Sequence, residues 1–211
     1  MIQDKPIILI EHLESELSPW LFLEYRHSSL IYGKEFLLIS NLPRRYHRLI
    51  SKYAMVSEKS VKKLIKEGEI NGRCAIILDP KSPRKLDFNN VIKAKYIIVG
   101  GILGEHPPRG RTFELITREL EGVESFNIGS GQFSIDGTVF YLQYLLSHRG
   151  DEDFKYIDGV TIDDPQLGGR TIYLPYRYPL IDGEPLLPPG LKYYLINGRL
   201  PEELWKEIRD P

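Results

Sequence analysis

The chain has 211 residues, of which 42% are hydrophobic and 27% charged, with a formal net charge of -1, and this length suits one well-buried core better than two. The small net charge argues against indiscriminate nucleic-acid binding, which needs a dense basic surface. The single cysteine, Cys74, excludes an internal disulfide, and the N-terminus has no apolar run long enough for a signal peptide or a membrane span, so we expect a cytoplasmic protein with no membrane partner.

Short apolar runs alternate with helical patterns in the first hundred residues. Ser18 and Pro19 are typical of the N-cap and first position of a helix, and Gly33 is typical of its end. Because the apolar runs are continuous, we expect buried strands in a sheet that is covered on both faces. The predicted strands are residues 6–10, 36–39, 74–78 and 96–99, the next predicted helices are 46–53 and 57–67, and an exposed connector is predicted at 80–90.

The same alternation continues to about residue 150. Residues 111–120 should form a helix, 125–127 a brief strand, and Ile135–His148 a long helix with Ser134 as its N-cap. Strands that alternate with helices indicate parallel βαβ units. The fold class that we predict is therefore α/β, with a mostly parallel sheet and helices on both faces.

The last sixty residues have a different composition, rich in Gly, Pro and Tyr. Seven prolines lie between Pro165 and Pro201, and proline removes a backbone donor and restricts the chain. We expect a single domain, residues 1–211, with an irregular C-terminal extension, 151–211, packed on it. Short strands at 160–162 and 171–174 and a last helix at 201–208 are the regular structure expected in this extension.

Two glycine-rich segments follow apolar runs and lie about one helix apart in the sequence. The segments are Gly100, Gly101, Ile102, Leu103 and Gly104, and then Asn127, Ile128, Gly129, Ser130, Gly131 and Gln132. Glycine permits positive φ and leaves backbone N–H and C=O groups bare, so adjacent strand ends can contact a nucleoside. In open α/β sheets, ligands bind outside the carboxyl ends of the strands.

Charged residues follow the first strand and the first glycine-rich segment. Arg109 and Arg111 flank Gly110 beside two prolines, which would hold a guanidinium ready for a carboxylate or a phosphate. Glu11, His12 and Glu14 follow the first strand, and Glu24, Arg26 and His27 lie on the first helix. His12 and Glu14 alone are too few ligands to indicate a metal site.

Several of these blocks, taken together, resemble one family. They are Ile10-Glu11-His12 with Trp20 and Leu23-Glu24-Tyr25, Gly100-Gly101-Ile102-Leu103-Gly104 followed by His106-Pro107-Pro108-Arg109-Gly110-Arg111-Thr112, Gln132 before Asp136, and Leu174-Pro175-Tyr176-Arg177-Tyr178 before Leu187-Pro188-Pro189-Gly190-Leu191. The chain is similar to a branch of the SPOUT methyltransferases that contains the fungal ribosomal-protein arginine methyltransferase and its archaeal relatives. The resemblance covers nearly the whole chain.

The resemblance implies a trefoil knot near the C-terminal half, whose loops hold S-adenosylmethionine (SAM). Ordinary packing rules would not predict a knot, since true knots are almost absent from proteins. The residues implied for the cofactor are Gly100, Gly101, Ile102, Leu103, Gly104, Asn127, Ile128, Gly129, Ser130, Gly131, Gln132 and Leu174. Those expected at the substrate are His12, Glu14, Arg109, Arg111, Asp136 and Arg177.

The resemblance implies that the preferred acceptor is an arginine side chain of a ribosomal protein. Arginine stays protonated at neutral pH, so carboxylates must hold its guanidinium and accept a proton during methyl transfer. Glu11, Glu14 and Glu24 would hold the guanidinium, and Glu11 and Glu24 are predicted to be catalytic.

The alternative acceptor is ribosomal or transfer RNA, and a further alternative is a binding protein without turnover. Arg26 lies close to the place of a ribose-activating arginine in other members of the superfamily. A basic strip formed by Arg44, Arg45, His47, Arg48, Lys52, Lys59, Lys62, Lys63 and Lys66 could contact phosphates. We expect no metal, and either a monomer or a homodimer.

Overall fold

A computed structural model describes residues 5–103, 110–164 and 170–209 of the chain. Within these ranges the strands are β1 Ile7–His12, β2 Leu37–Ser40, β3 Met55–Val56, β4 Ala75–Leu78, β5 Tyr96–Gly101, β6 Glu124–Phe126, β7 Tyr156–Asp164, β8 Arg170–Ile181 and β9 Glu184–Pro185. The helices are α1 Pro19–Tyr32, α2 His47–Ile50, α3 Val61–Lys66, α4 Phe88–Lys93, α5 Arg111–Leu115, α6 Ile135–His148, α7 Leu191–Asn197 and α8 Glu202–Arg209.

The first six strands form one sheet in the order β3-β2-β1-β5-β4-β6, and every neighbouring pair is parallel. In the central strand, Glu11 lies opposite Ser40 of β2 and Gly100 of β5. All carboxyl ends therefore meet at one edge of the sheet. The predicted parallel α/β sheet is confirmed.

Side chains of β1 alternate between two hydrophobic cores, as the period of two in a strand requires. Ile8 and Ile10 pack with residues of α1 and α6, whereas Leu9 packs with residues of α3 and with Ile116. Helices thus cover both faces, as the continuous apolar strands predict. The α1 and α6 face also receives residues of α7 and α8.

Capping residues set the two long helices where the sequence predicts them. Ser18 Oγ accepts a hydrogen bond from Leu21 N at 3.2 Å at the start of α1, and Gly33 ends that helix with φ of 94°. Ser134 Oγ accepts from Gly137 N at 3.1 Å and begins α6. Such caps satisfy backbone donors that have no partner within the helix.

Three shorter predictions need correction. The strand expected to end at Val99 continues through Gly101, because β1 extends beside it to His12 and maintains the pairing. The helix expected over 57–67 begins only at Val61, since Ser57 N donates to the Ile39 carbonyl and holds the preceding segment at the sheet edge. Cys74, expected in a strand core, is half-buried in a 3-10 turn before β4.

The predicted connector at 80–90 is partly ordered structure. Lys85 pairs with Asn127 in an isolated parallel bridge, Leu86 is buried, and Asp87 and Asn90 form a capping box that begins α4. The helix predicted over 111–120 is interrupted at Ile116, whose φ of -122° lies outside the helical region, so α5 is followed by a 3-10 turn. In the 80–90 segment, pairing with a distant part of the chain outweighed the sequence pattern.

The C-terminal extension is more regular than expected. β7 and β8 form a long antiparallel hairpin, β9 adds a third strand, and α7 was not predicted. Pro175 fits within β8 because β9 pairs only with Leu180 and Ile181 further along. Ile162, Leu174 and Tyr178 form a core of their own, against which Trp20 of α1 packs. The knot and the single-domain organisation stay predictions.

Gly101 is required by close packing between β5, β1 and α1. A Cβ atom at this position would lie 2.7 Å from the Glu11 carbonyl oxygen, 2.7 Å from the Tyr25 hydroxyl and 2.8 Å from Ile10 Cγ2. We therefore expect Gly101→Ala to lower the free energy of unfolding by about 3 kcal/mol, measured by urea denaturation. Gly72→Ala is the control, because its Cβ would come no closer than 3.3 Å to a neighbour, Ile65 Cγ2. Equal effects of the two substitutions would contradict this account.

Candidate functional site

A cavity that opens to solvent lies outside the carboxyl ends of β4 and β5. Its position is the one at which open α/β sheets bind ligands. The wall combines apolar side chains with bare glycine backbone and a few polar groups. The lining residues are Leu78, Asp79, Pro80, Val99, Gly100, Ile102, Thr112, Ile128, Gly129, Gly131, Gln132, Phe133, Ile135 and Thr138.

The side chain of Asn127 shapes the glycine-rich loop that follows β6. Its Nδ2 donates to the Ser82 carbonyl at 2.8 Å, and its Oδ1 accepts from Gly129 N at 2.9 Å. Gly129 has φ of 107°, which favours glycine. The loop is thus tied to the segment after β4, and its backbone is turned toward the cavity.

The amino end of α6 forms the next part of the wall. Ile135 and Thr138 line the cavity, and Ile135 N donates to Glu24 Oε2 of α1 at 3.2 Å. Glu24 Oε1 also accepts from Trp20 Nε1 at 2.8 Å. A buried carboxyl group at a helix amino end accepts a hydrogen bond from an otherwise unpaired N–H donor. Glu24 therefore positions the first turn of α6.

A second buried carboxylate, Asp136, lies beside Glu24. Asp136 Oδ2 is 2.7 Å from His27 Nδ1, while Asp136 Oδ1 and the Tyr178 hydroxyl have no hydrogen-bond partner within the described ranges. Burial is the main cause that raises the pKa of Glu24 to about 8, and the Asp136 charge raises it further. Burial likewise raises the pKa of Tyr178. This cluster is screened from solvent.

The guanidinium of Arg177 joins the C-terminal hairpin to the glycine-rich loop. Its Nε and Nη2 donate to Asp158 Oδ1 and Oδ2 at 2.7 and 2.8 Å, and its Cζ lies 3.9 Å from the centre of the Tyr156 ring. Arg177 N also donates to the Gln132 carbonyl at 2.8 Å. A Cβ on Gly131 would lie 2.5 Å from Arg177 Cζ. Gly131 is therefore required by the approach of this arginine.

Glu11 lies on the other face of the sheet from Glu24. Its Oε2 accepts from Ser40 Oγ at 2.5 Å and from Val61 N, the first residue of α3, at 2.9 Å. Burial raises its pKa, against the lowering effect of these two bonds. Glu11, Glu14 and Glu24 were expected to hold one guanidinium together. Glu11 and Glu24 cannot, because the sheet separates their side chains.

Glu14 and Arg111 are brought together, as an ion pair with 3.4 Å between Oε1 and Nη2. Arg111 Nη2 also donates to the Leu103 carbonyl at 2.6 Å, which ties α5 to the end of β5. Both side chains are about 30% exposed. His12 is buried, and its Nδ1 lies 2.9 Å from the Tyr25 hydroxyl. Of these residues, Glu14 and Arg111 reach the surface near the cavity.

Arg26 faces the C-terminal helix and does not line the cavity. Its Nε is 3.9 Å from Glu207 Oε2 of α8, and its guanidinium lies 5.7 Å from the Tyr53 ring centre. Much of the predicted basic strip is also paired with carboxylates. The ion pairs are Arg45 with Glu16, Lys59 with Glu67 and Glu69, Lys62 with Glu119, and Lys63 with Glu67.

Six predicted cofactor residues line the cavity: Gly100, Ile102, Ile128, Gly129, Gly131 and Gln132. Gly101 instead packs against β1, Asn127 braces its loop, Leu103 bonds Arg111, and Leu174 is buried in the core of the hairpin. Ser130 is exposed between the two lining glycines. Gly104 and Arg109 lie outside the described residues.

Asp79 is the most informative residue that the sequence analysis missed. It follows β4 directly and lines the cavity, and it is buried. Its Oδ1 accepts from Lys81 N at 2.9 Å and its Oδ2 from the Thr117 hydroxyl at 2.6 Å. A carboxylate directly after an apolar strand was the signal available in the sequence. Thr112 and Thr138, also in the wall, carry no such signal.

Neither a membrane span nor a metal cluster is found in the described part of the chain. None of its helices is long and apolar enough to cross a bilayer. Nor do these residues contain three or more His, Cys, Asp or Glu side chains arranged to hold a metal ion.

Glu24 should make folding stability depend on pH. Its pKa is about 8 in the folded protein, against an ordinary value of 4.5, so the folded state holds the proton more tightly. This contribution is full below pH 4.5 and is lost as the pH rises through 8, a change on the order of 5 kcal/mol. Urea unfolding at pH 5 and pH 8 should show a smaller difference in Glu24→Gln than in the parent protein. Glu184→Gln, an exposed control, should keep the parent difference, and an unchanged difference in Glu24→Gln would exclude the assignment.

Known proteins provide an independent comparison. Residues 7–200 match the family described as "Protein arginine N-methyltransferase SFM1-like". The chain is 32% identical over 196 residues to protein arginine N-methyltransferase SFM1 of Saccharomyces cerevisiae, covering 87% of this chain and 91% of the yeast protein.

Solved structures agree with this match. A structure of yeast SFM1 complexed with SAM has a TM-score of 0.78 at 28% identity, and the match covers 92% of this chain and 91% of the yeast chain. A structure of yeast SFM1 complexed with SAH has a TM-score of 0.77 at 30% identity, and the match covers 90% of this chain and 94% of the yeast chain. A crystal structure of dual-specific Trm10 from Thermococcus kodakaraensis has a TM-score of 0.54 at 17% identity, and the match covers 67% of this chain and 91% of the other. At this identity the match shows a similar fold and nothing more. The chain belongs to the SFM1-like family of protein arginine N-methyltransferases.

Proposed function

We propose that this protein transfers a methyl group from SAM to an arginine side chain of a ribosomal protein. The cavity at the carboxyl ends of β4 and β5 is the observation that carries the proposal. Membership of the SFM1-like family supports the chemistry, and the SAM and SAH complexes of yeast SFM1 support the cofactor. The same family likeness supports a trefoil knot around this cavity.

The wall of the cavity has the chemistry that SAM needs. Leu78, Val99 and Ile128 offer apolar surface for an adenine ring, and Gly100 and Gly129 leave the backbone open to its polar edge. Each Asp79 oxygen accepts one hydrogen bond from the protein and can accept another from a ribose hydroxyl. The residues of the wall therefore fit this ligand.

When bound, SAM supplies a methyl carbon on a sulfonium, and the electron pair of the breaking C–S bond stays on sulfur as the acceptor nitrogen bonds the carbon. The protein then has to align the acceptor and take up one proton. Of the three glutamates predicted to hold the acceptor guanidinium, Glu14 is accessible at this edge of the sheet, and Arg111 orients it. We propose Glu14 as the proton acceptor. Glu11 and Glu24, expected to be catalytic, act here by positioning α3 and α6.

An RNA acceptor is the second candidate, and the geometry supports it less. Arg26 would have to reach the cavity, yet its guanidinium lies against Tyr53 and Glu207. Arg45 and three lysines of the basic strip are ion-paired within the protein.

A ribosomal protein as substrate also implies that this protein acts in the cytoplasm. We propose a monomer or a homodimer as the active form.

Gly131→Ala should weaken SAM binding. The backbone of Gly131 is not left-handed, so the only strain comes from the methyl group, which would displace Arg177 and the loop that lines the cavity. We expect the Kd measured by calorimetry to rise roughly tenfold or more, about 1.4 kcal/mol. Gly72→Ala should leave the Kd unchanged. Equal affinity of Gly131→Ala and the parent protein would refute the cavity as the cofactor site.

Labelled SAM identifies the acceptor. Incubation of the protein with ribosomes and methyl-labelled SAM, followed by separation of protein from RNA, should place the label in one protein band as methylarginine after acid hydrolysis. Label confined to RNA would favour the second candidate. Absence of label in both fractions, with SAM bound in calorimetry, would indicate a binding protein without turnover.

A further inference from the structure

The hairpin β7–β8 already holds one guanidinium beside the cavity. Arg177 meets Asp158 through two parallel N–H···O bonds and stacks on Tyr156 at 3.9 Å. A bidentate carboxylate and an aromatic face are the two groups that bind guanidinium best in proteins. The site is therefore chemically suited to an arginine.

The two partners of Arg177 differ from it in exposure. The Arg177 side chain is 8% exposed, whereas the Asp158 side chain is 64% exposed and Tyr156 is 45% exposed. A carboxylate offers about four lone-pair sites, and Arg177 uses two of them. Asp158 and Tyr156 thus keep an outward surface that can bind a second guanidinium.

This surface is close to the cavity. Arg177 Cζ lies 2.5 Å from the position of a Cβ on Gly131, which lines the cavity wall. Asp158 Oδ1 lies 2.7 Å from Arg177 Nε, an atom that also lies against that Cβ position. Asp158 and the loop proposed to hold SAM therefore contact the same guanidinium.

We infer that Asp158 and Tyr156 bind the guanidinium of the acceptor arginine on their outward surface. The inference rests on the proposed function, whose substrate site it locates. Asp158 would fix the guanidinium by charge-assisted hydrogen bonds, and the Tyr156 ring would orient its plane. Arg177 lowers the pKa of Asp158, so the carboxylate stays ionised at neutral pH.

The strand that carries these residues favours a cationic partner. The sequence of β7, Tyr156–Asp164, contains Asp158, Asp163 and Asp164 and no basic residue. β7 is also an outer strand of its sheet, in the order β7-β8-β9. An extended basic segment around the acceptor arginine has complementary charge along this strand.

Asp158→Asn tests the carboxylate. With ribosomal protein extracted from ribosomes as acceptor, we expect KM for the acceptor to rise roughly tenfold, because the amide loses the charge. The Kd for SAM, measured by calorimetry, should rise far less than KM, because the amide oxygen can still accept one hydrogen bond from Arg177. Glu184→Gln removes an exposed charge from β9, the other outer strand of the same sheet, and should change KM far less.

Tyr156 provides a test that leaves the Asp158 carboxylate in place. Tyr156→Phe keeps the ring face and should keep the acceptor KM, whereas Tyr156→Leu removes the face and should raise KM about threefold to tenfold. A purely structural contribution would instead lower stability and SAM affinity in Tyr156→Leu and leave KM unchanged. That result, or unchanged KM in both Asp158→Asn and Tyr156→Leu, would overturn the inference.

A small probe separates this inference from the proposed function. Nα-acetyl-arginine amide should inhibit the parent protein competitively, and the uncharged citrulline analogue should not. Asp158→Asn should abolish the difference between the two compounds. If the parent methylates ribosomal protein and inhibition is the same before and after the substitution, only the inference fails. If the parent methylates no protein, the proposed function fails first.

Discussion

Burial of Glu24 and Asp136 between α1 and α6 is the constraint on which the cavity depends. Charges inside a protein are tolerated only when hydrogen-bonded or neutralised. Glu24 meets that requirement by accepting the backbone N–H of Ile135, and Asp136 by pairing with His27. The two contacts hold the amino end of α6 at one place on α1, and the loop from Asn127 to Ser134 must then close over the ends of β4 and β5.

Arg177 supplies the corresponding constraint from the other side of that loop. Its guanidinium is fixed by Asp158 and Tyr156, lies where a side chain at Gly131 would have to be, and is 3.4 Å from the Cβ position of Gly129. The glycines of this segment therefore serve two purposes, since they admit the arginine and leave the backbone open to the cavity. The hairpin thus supports the loop that lines the cavity, and the C-terminal extension contributes to the site through that loop.

The two faces of the sheet separate residues that adjoin in the sequence motifs. Glu11 and Glu24 both belong to the sequence blocks that resemble the family. Because both are carboxylates, the sequence suggested that they hold one guanidinium together. The register of β1 places Glu11 beside Ser40 and the start of α3, while α1 covers the opposite face. Both carboxylates are consequently engaged by backbone donors. Among the described residues, Glu14 and Asp158 are carboxylates that stay partly exposed and contact arginines close to the cavity wall.

The sequence by itself determined the α/β class, the glycine loops of the cavity, and the limits of α1 and α6 through Ser18, Gly33 and Ser134. These features depend on local propensity, on helix capping and on the spacing of apolar residues along the chain. Only the tertiary structure decided the long hairpin, the position of Asp79 in the wall, and the partners of Arg177. Those features depend on which distant segments meet, and a one-residue change of strand register would send every side chain to the other face.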